Sequence, residues 1–513
     1  MRNWHSLYEI MKFPLQMVMF ALILCGIGNI IVNPSYGVCA FISHDILKMT
    51  GQILQRSGTF LISSFPLVFL ISAVIKKGSS GITVVSSLFG YISYLVTTMI
   101  LSPSNLTTNA YSSIFGLSFT TNYAFSSNVT KYPLQTGMVG VLIVVFITLI
   151  MFGISRKKNE YGFFSFISKE MFCVIGTVVL SIIAGALVTL VWPFIVSFVQ
   201  GIVSFIAADT TNPVNMALYG ITDRVMNMLN LSALIRQPFW YTSQGGSWIS
   251  LTGASVAGDV NIWTSQIASS SVNSLSGRFI TPYYILNIFA VPAMRLAMDS
   301  LCSEPGTKHR YTGALVAGTL VSLLCGTLLP LELMLLLLCP LLLLIHLGLT
   351  GILFAVLQSM HIYLGYNCSS TLVLSALPGT LPEFLSYIGN PSLRATLLMI
   401  VIAGIITAAV YFVVTRLYFT KLAVDLFRTG DLERCVATVI KGVGGLDNIR
   451  VTEATFDALT ISLYDPTKLR PSRFRSLGVF RIYDTRFGFR INLGAGSVMV
   501  KNEIEKQIRS TVR

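Results

Sequence analysis

The sequence predicts a polytopic α-helical membrane protein of eight to ten spans that ends in a small α+β domain. Three observations carry this. The 513 residues are 53% apolar and only 11% charged, against roughly 25% charged in a soluble globular chain. The charge is also unevenly placed. Residues 1–417 hold 19 Lys/Arg and 11 Asp/Glu, about 7% of positions, whereas residues 418–513 hold 16 and 10, about 27%. Finally, apolar runs of spanning length recur through the first part and stop at the second. An ordinary cytosolic enzyme and a disordered chain are both excluded by this composition.

The first apolar run, 13–32, follows Arg2 and Lys12 as a signal peptide would. It is nearly long enough for ~30 Å of hydrocarbon and no small-x-small cleavage site follows, so it reads as a retained first span. Further runs lie at 60–75, 82–101, 137–154, 171–198, 280–298, 311–325, 328–357 and 397–417, with 360–377 ambiguous. The run from Leu328 is too long for one simple span and reads as a span followed by a turn. The basic clusters Lys76-Lys77, Arg156-Lys157-Lys158 and Lys308-His309-Arg310 place those loops on the cytoplasmic side. Residues 102–133 carry the single charge Lys131 and fit an external loop.

Two stretches break the apolar rule. Residues 209–279 are polar and Gly/Ser-rich and contain Asp223, Arg224, Arg236, Asp259 and Arg278. They read either as a long extramembrane loop or as discontinuous backbone at membrane depth, which survives only where it is buried or lines a cavity. In 327–333, Pro330 and Glu332 interrupt a nearly pure leucine tract. A carboxylate there costs ~2.5–3.5 kcal/mol on insertion scales, so it is paired or faces water. Glu332 is therefore a functional candidate or a structural partner. Asp223-Arg224 is a binding candidate or a self-neutralised internal pair.

The tail alternates in type. Residues 431–443 have helical periodicity and end at Gly444-Gly445, a stop signal. Residues 458–463 alternate like a strand, 479–483 and 487–493 read as a hairpin, and 497–509 as a closing helix. The eight cysteines form no Cys-x-x-Cys pair and the five histidines no ligand spacing, so neither a disulfide framework nor a metal or other cofactor is expected. The net charge of +14 divides into +8 and +6. A basic tail beside a membrane favours the cytoplasmic face. No basic run with interleaved aromatics points to nucleic acid.

The order of these pieces resembles the glucose family of bacterial phosphotransferase-system permeases, over nearly the whole chain. The likeness rests on Ser64-Phe65-Pro66-Leu67-Val68-Phe69, Trp192-Pro193, Tyr219-Gly220-Ile221-Thr222-Asp223-Arg224, Leu275-Ser276-Gly277-Arg278-Phe279, Pro330-Leu331-Glu332 and Ile345-His346. In the tail it rests on Gly444-Gly445-Leu446-Asp447-Asn448-Ile449. The resemblance implies a membrane IIC domain over 1–417 that binds and carries a sugar. It further implies a short linker over 418–430 and a cytosolic IIB-like domain over 431–513 that passes on phosphate.

The positions that carry this chemistry are altered. The family's phosphorylated cysteine and two following arginines fall on Thr455, Ala458 and Thr460. Phosphoryl transfer needs a thiolate nucleophile held among cations. A threonine hydroxyl stays protonated without a base, and Asp457 repels an incoming phosphate. The family's histidine pair falls on Ser232-Ala233. Its first glutamate, implied to contact or deprotonate a sugar hydroxyl, is Leu329, while the second survives as Glu332. Leucine offers no acceptor for general-base help.

The resemblance thus implies a multi-pass protein of the bacterial inner membrane with its C-terminal domain in the cytoplasm. Asp223, Arg224, Arg278 and Glu332 are expected to converge on a hexose or glucoside, with no catalytic residue left at Thr455, Leu329 or Ser232. The expected partners are a sugar, a second copy in a homodimer, and phosphotransferase-system IIA or IIB proteins or a regulator. Two functions follow: a sugar permease impaired in phosphoryl transfer, or an inactive relative that senses sugar or scaffolds regulation.

Overall fold

The computed structural model describes residues 2–33, 45–78, 81–103, 106, 119–121, 129–157, 167–250, 253–269, 276–301, 305–366, 378–422, 432–455, 457–477, 479, 482–485 and 488–511. Most of the expected external loop 102–133 and most of the linker 418–430 lie outside the described residues. Two compact units divide the chain. One comprises Glu9–Thr281 and Thr350–Ala376, the other Met1–Tyr8, Pro282–Leu349 and Leu377–Arg513.

The first unit begins with α1 (Arg2–Val32), α2 (Asp45–Ser63), α3 (Phe65–Gly78) and α4 (Gly81–Leu101). The small antiparallel pair β1 (Phe119–Thr121) and β2 (Val129–Lys131) follows, then α5 (Gly137–Arg156) and α6 (Lys169–Ala208). Helix α6 starts where the Ser168 hydroxyl accepts the Met171 N–H at 3.1 Å, satisfying one of the donors a helix start leaves open. Its 40 residues reach ~60 Å at the helical rise. One side is a ladder of small residues, Cys173, Thr177, Ser181 and Gly185, buried at every fourth position. Gly90 of α4 meets it: a Cβ there would lie 2.8 Å from Thr177 and 2.9 Å from Ser181. Such small-on-small faces let helices approach where lipid supplies no hydrophobic drive. Leu190, Phe194 and Phe198 on α6 are exposed.

Residues 209–279, which the sequence leaves open between loop and broken membrane segment, fold as α7 (Pro213–Met228), α8 (Ala233–Tyr241), the antiparallel pair β3 (Ser247–Ile249) and β4 (Ser255–Ala257), and α9 (Asp259–Ala268). Asn212 caps α7 by accepting the Val214 N–H at 2.9 Å, with Pro213 at the first helical position, where no donor is missed.

The second unit contains α10 (Thr281–Ile285), a π turn (Leu286–Ala290), α11 (Val291–Ser300), α12 (Pro305–Cys325), α13 (Leu329–Leu338), α14 (Pro340–Ser359), α15 (Leu381–Ser386) and α16 (Arg394–Leu417), which runs into a second π turn (Tyr418–Leu422). Residues of α14 from Thr350 on belong to the first unit. Among the described residues six helices are long and apolar enough to cross a membrane, or up to seven if the bent pair α2–α3 is one span. The chain is a multi-pass membrane protein. The sequence leads one to expect eight to ten spans. The difference arises where apolar runs do not become single straight helices. The 280–298 run is broken by its π turn, where Asn287 accepts the Ser322 hydroxyl at 2.8 Å. The 311–325 run supplies only the short apolar helix Leu315–Cys325, and the 328–357 run splits at Cys339 into the ten-residue α13 and the span α14.

The tail follows as α17 (Leu432–Val443), β5 (Ile449–Ala454), β6 (Ala458–Leu463), β7 (Ile482–Thr485), β8 (Gly488–Asn492) and α18 (Ser497–Thr511). The sheet is antiparallel in the order β5-β6-β8-β7. Gly444, at φ +90, ends α17 in a conformation that glycine adopts without strain. Val436, Val439, Val443, Leu459, Ile461, Phe489, Ile491 and Ile504 are buried in one core, each aliphatic side chain contributing ~1.5–3 kcal/mol by leaving water.

Candidate functional site

Charged side chains placed inside an apolar helical body must find partners, and those partners define three clusters. The first joins α7 and α8. Asp223 is fully buried, Arg224 is 2% exposed and Arg236 9%. Arg236 donates from Nε to Asp223 Oδ1 at 2.6 Å and from Nη2 to Oδ2 at 3.0 Å. Arg224 donates to Oδ2 from Nε at 3.1 Å and also from Nη2. One carboxylate therefore serves two guanidiniums: Arg236 grips both oxygens as a fork, the geometry in which arginine binds carboxylate most strongly, while Arg224 places both donors on Oδ2. Arg236 also lies over the Trp240 ring, 5.2 Å from its centroid, and Trp240 Nε1 donates to the Tyr219 hydroxyl at 3.0 Å.

The second cluster surrounds Arg278 in the same unit. Its Nη1 donates to the Thr210 hydroxyl at 3.0 Å and the Thr210 carbonyl at 3.2 Å. The guanidinium lies over the Tyr363 ring, 5.7 Å from its centroid. Backbone contacts fix this arginine. Buried Asp259, in the first turn of α9, accepts the Gly277 N–H at 2.8 Å. The Thr281 hydroxyl donates to the Gly277 carbonyl at 2.8 Å and accepts the Leu364 N–H at 2.7 Å. Gly277 has φ +98, and a Cβ there would stand 2.6 Å from the Gly365 nitrogen. No other residue fits that approach without strain.

The third cluster lies in the second unit. Glu332, in the first turn of α13, is fully buried, and its Oε1 stands 3.5 Å from Nε2 of His346 on α14. His346 Nδ1 is 2.9 Å from the Tyr411 hydroxyl on α16. All three side chains are buried.

Of the four residues the sequence nominates for ligand contact, Asp223 and Arg224 are thus brought together and Arg278 has partners of its own. Glu332 belongs to the other unit. Sequence reading missed Arg236 as the second partner of Asp223. The signal was present: a lone arginine thirteen residues on, in a stretch flagged for its charges. It likewise missed Tyr363 and the Glu332–His346 pairing. Of the altered positions, Ser232 precedes α8 without capping it through its side chain. Leu329 opens α13, its N–H donating to the Thr327 hydroxyl at 3.3 Å.

Thr455 closes the turn between β5 and β6. Its hydroxyl donates to Asp457 Oδ1 at 2.8 Å and accepts the Ala458 N–H at 3.1 Å, and its own N–H donates to the Ala458 carbonyl at 2.8 Å. Thr455 and Asp457 are both 3% exposed. Arg490 of β8 stands beside the turn, Nη2 3.7 Å from Asp457 Oδ1, a cation supplied from a strand that the local motif does not include. Asp457 is within reach to take the hydroxyl proton, but a buried hydroxyl beside a carboxylate presents no open path to a phosphate.

No known family model matches the chain. Among solved structures it is similar to the crystal structure of the transporter ChbC, the IIC component from the N,N'-diacetylchitobiose-specific phosphotransferase system, at 13% identity. The match covers 82% of this chain and 92% of that one, with a TM-score of 0.31. At that identity and score the likeness does not establish a shared fold.

Proposed function

We propose that this protein is a sugar-binding membrane protein of the phosphotransferase-permease type, with a IIC-like membrane domain and a IIB-like tail on the cytoplasmic side of a bacterial inner membrane. It takes up a hexose or glucoside and is impaired in phosphoryl transfer. Asp223, Arg224 and Arg278 are the proposed ligand contacts within the first unit, Glu332 is a separate candidate contact in the second, and a homodimer is the proposed assembly. The observation that carries the reading is the placing of guanidinium groups against aromatic rings in an otherwise apolar helical body. Arg236 lies on Trp240 and Arg278 on Tyr363. Charged donors and acceptors suit sugar hydroxyls, and ring faces suit the apolar side of a pyranose.

The turn at Thr455 supports the impaired half of the proposal and favours a second reading, in which the protein senses sugar or scaffolds a regulator without chemistry. Its nucleophile position is internally hydrogen-bonded and buried. The test is direct binding of glucose, N-acetylglucosamine and methyl α-glucoside to the purified full chain, followed by calorimetry and by thermal protection. Saturable binding of one sugar that weakens in Arg278→Lys supports the proposal, because lysine keeps the charge and loses the planar fork. A folded protein that binds none of them overturns it. Phosphorylating uptake by this chain alone overturns the impairment.

A further inference from the structure

The tail contains a basic hollow of about 380 Å³, lined by Arg434, Ala437, Thr438 and Lys441 of α17 and by Ser472 and Arg473. We propose that this hollow binds a phosphate monoester. It shares no lining residue with the Thr455 turn. The inference goes beyond the sugar reading and does not depend on it.

The hollow is built before any ligand arrives. Arg434, Ala437, Thr438 and Lys441 stand at i, i+3, i+4 and i+7, which is one stripe of a helix. The opposite stripe, Val436, Val439 and Val443, is buried in the tail core, so the basic stripe is held outward. The second wall is the 3₁₀ helix Pro471–Leu477. Two contacts fix it against α17. The Arg470 N–H donates to the Gly442 carbonyl at 2.8 Å. Buried Phe474 lies against Gly442, where a Cβ would stand 2.6 Å from the ring. A wall spacing set in advance spares part of the ordering cost of binding.

Charge selects the ligand. Three of the six lining side chains are cations and none is an acid. Glu433, the neighbour of Arg434, does not line the hollow. Arg473 already has an interaction of its own. The charge open to a ligand therefore comes from Arg434 and Lys441, two exposed cations that form no ion pair among the described residues. A carboxylate balances only one of them. A phosphate monoester carries about −1.5 to −2 near neutral pH and balances both. Arginine's fork meets two phosphate oxygens, and lysine adds a point charge. Ser472 contributes a hydroxyl donor, whereas the Thr438 hydroxyl already donates to the Arg434 carbonyl at 2.7 Å. The same chemistry is offered by a soluble phosphorylated metabolite and by the headgroup of phosphatidic acid.

The experiment measures acylation of Lys441 by mass spectrometry on the full chain in lipid discs. Inorganic phosphate is the soluble probe, added to discs of phosphatidylcholine. Discs that also contain phosphatidic acid, without added phosphate, are the lipid probe. At least one of the two should slow Lys441 acylation several-fold, and which one does so assigns the source. Sodium chloride at equal ionic strength should not, because screening is common to the salts. Lys506 on α18, its side chain 77% exposed, should react at one rate throughout. Arg434→Gln changes an exposed position and leaves the buried valines in place. It should raise the concentration of the protecting probe needed for half-protection about tenfold, the loss expected for one hydrogen bond to a charged group. Equal protection by chloride, protection unchanged in Arg434→Gln, or a Lys441 that neither probe protects overturns the proposal. No sugar is present, so failure of the sugar-binding proposal leaves the result intact.

Discussion

Replacing Asp223 by Asn tests how far the α7–α8 cluster holds the first unit together. The substitution preserves size and removes the charge that two guanidiniums share. Four N–H groups, two from Arg224 and two from Arg236, lose a carboxylate acceptor. The site is buried, with Asp223 fully enclosed and Arg224 2% exposed, so solvent does little to compensate. Breaking a buried pair by removing one partner costs ~3–5 kcal/mol. At about 1.4 kcal/mol per tenfold, that lowers the folded-to-unfolded ratio by roughly a hundred-fold to several thousand-fold. The assay is reversible unfolding of the full chain in detergent, followed by tryptophan fluorescence, since Trp240 lies beneath Arg236. The double variant Asp223→Asn, Arg236→Gln removes one of the two exposed consequences and should recover part of the loss. A control, Asp299→Asn, acts on a partly exposed pair and should cost ~0–1 kcal/mol. A loss below ~1 kcal/mol for Asp223→Asn, or strict additivity in the double variant, would refute the reasoning.

Gly277→Ala should destabilise the first unit by ~1–3 kcal/mol, because φ +98 and the 2.6 Å approach to Gly365 are both incompatible with a Cβ; an unchanged melting temperature would count against it. Thr455→Cys alone should not make the tail accept phosphate from a phosphorylated IIA donor, since Asp457 remains and Ala458 and Thr460 supply no cation; stable radiolabel on the variant tail, or on wild-type Thr455, would show otherwise. In the tail Asp465 accepts from the Thr467 hydroxyl at 2.6 Å and its N–H at 3.0 Å, which hold its carboxyl below the usual range, with a small further push from Lys468. Its folded value is therefore lower than its unfolded one. The stabilisation is complete above the ordinary carboxylate value, about 3.9, and is lost as pH falls through the lowered one. Asp465→Asn should flatten the acid limb of tail unfolding by lowering stability at neutral pH and converging on the wild type in acid; a parallel shift at all pH values would be the wrong result.

The sequence by itself determined the elements whose signal is local. A helix with apolar residues on one stripe and a glycine stop reads as α17 because the periodicity and the Gly444 conformation both lie within one short window. Strand β6 reads at 458–463 for the same reason, and the spans 13–32, 82–101 and 137–154 read from length and hydropathy alone. Strand β5 was not legible, because its alternation is weak and its edges pair only through β6. How the apolar runs break into separate helices was not legible either. Whether an apolar run becomes one straight helix depends on a π turn, or on a break at Cys339 and Pro340, that local hydropathy averages away. The candidate site divides in the same manner. Sequence found Asp223, Arg224, Arg278 and Glu332 because a charge in an apolar tract is a local anomaly. Which cation shares Asp223, which ring lies beneath Arg278, and which imidazole and phenol flank Glu332 were decided only when separate helices packed. A partner is a property of distance in space, and a side chain thirteen or more positions away in the chain carries no mark of that distance until the helices meet.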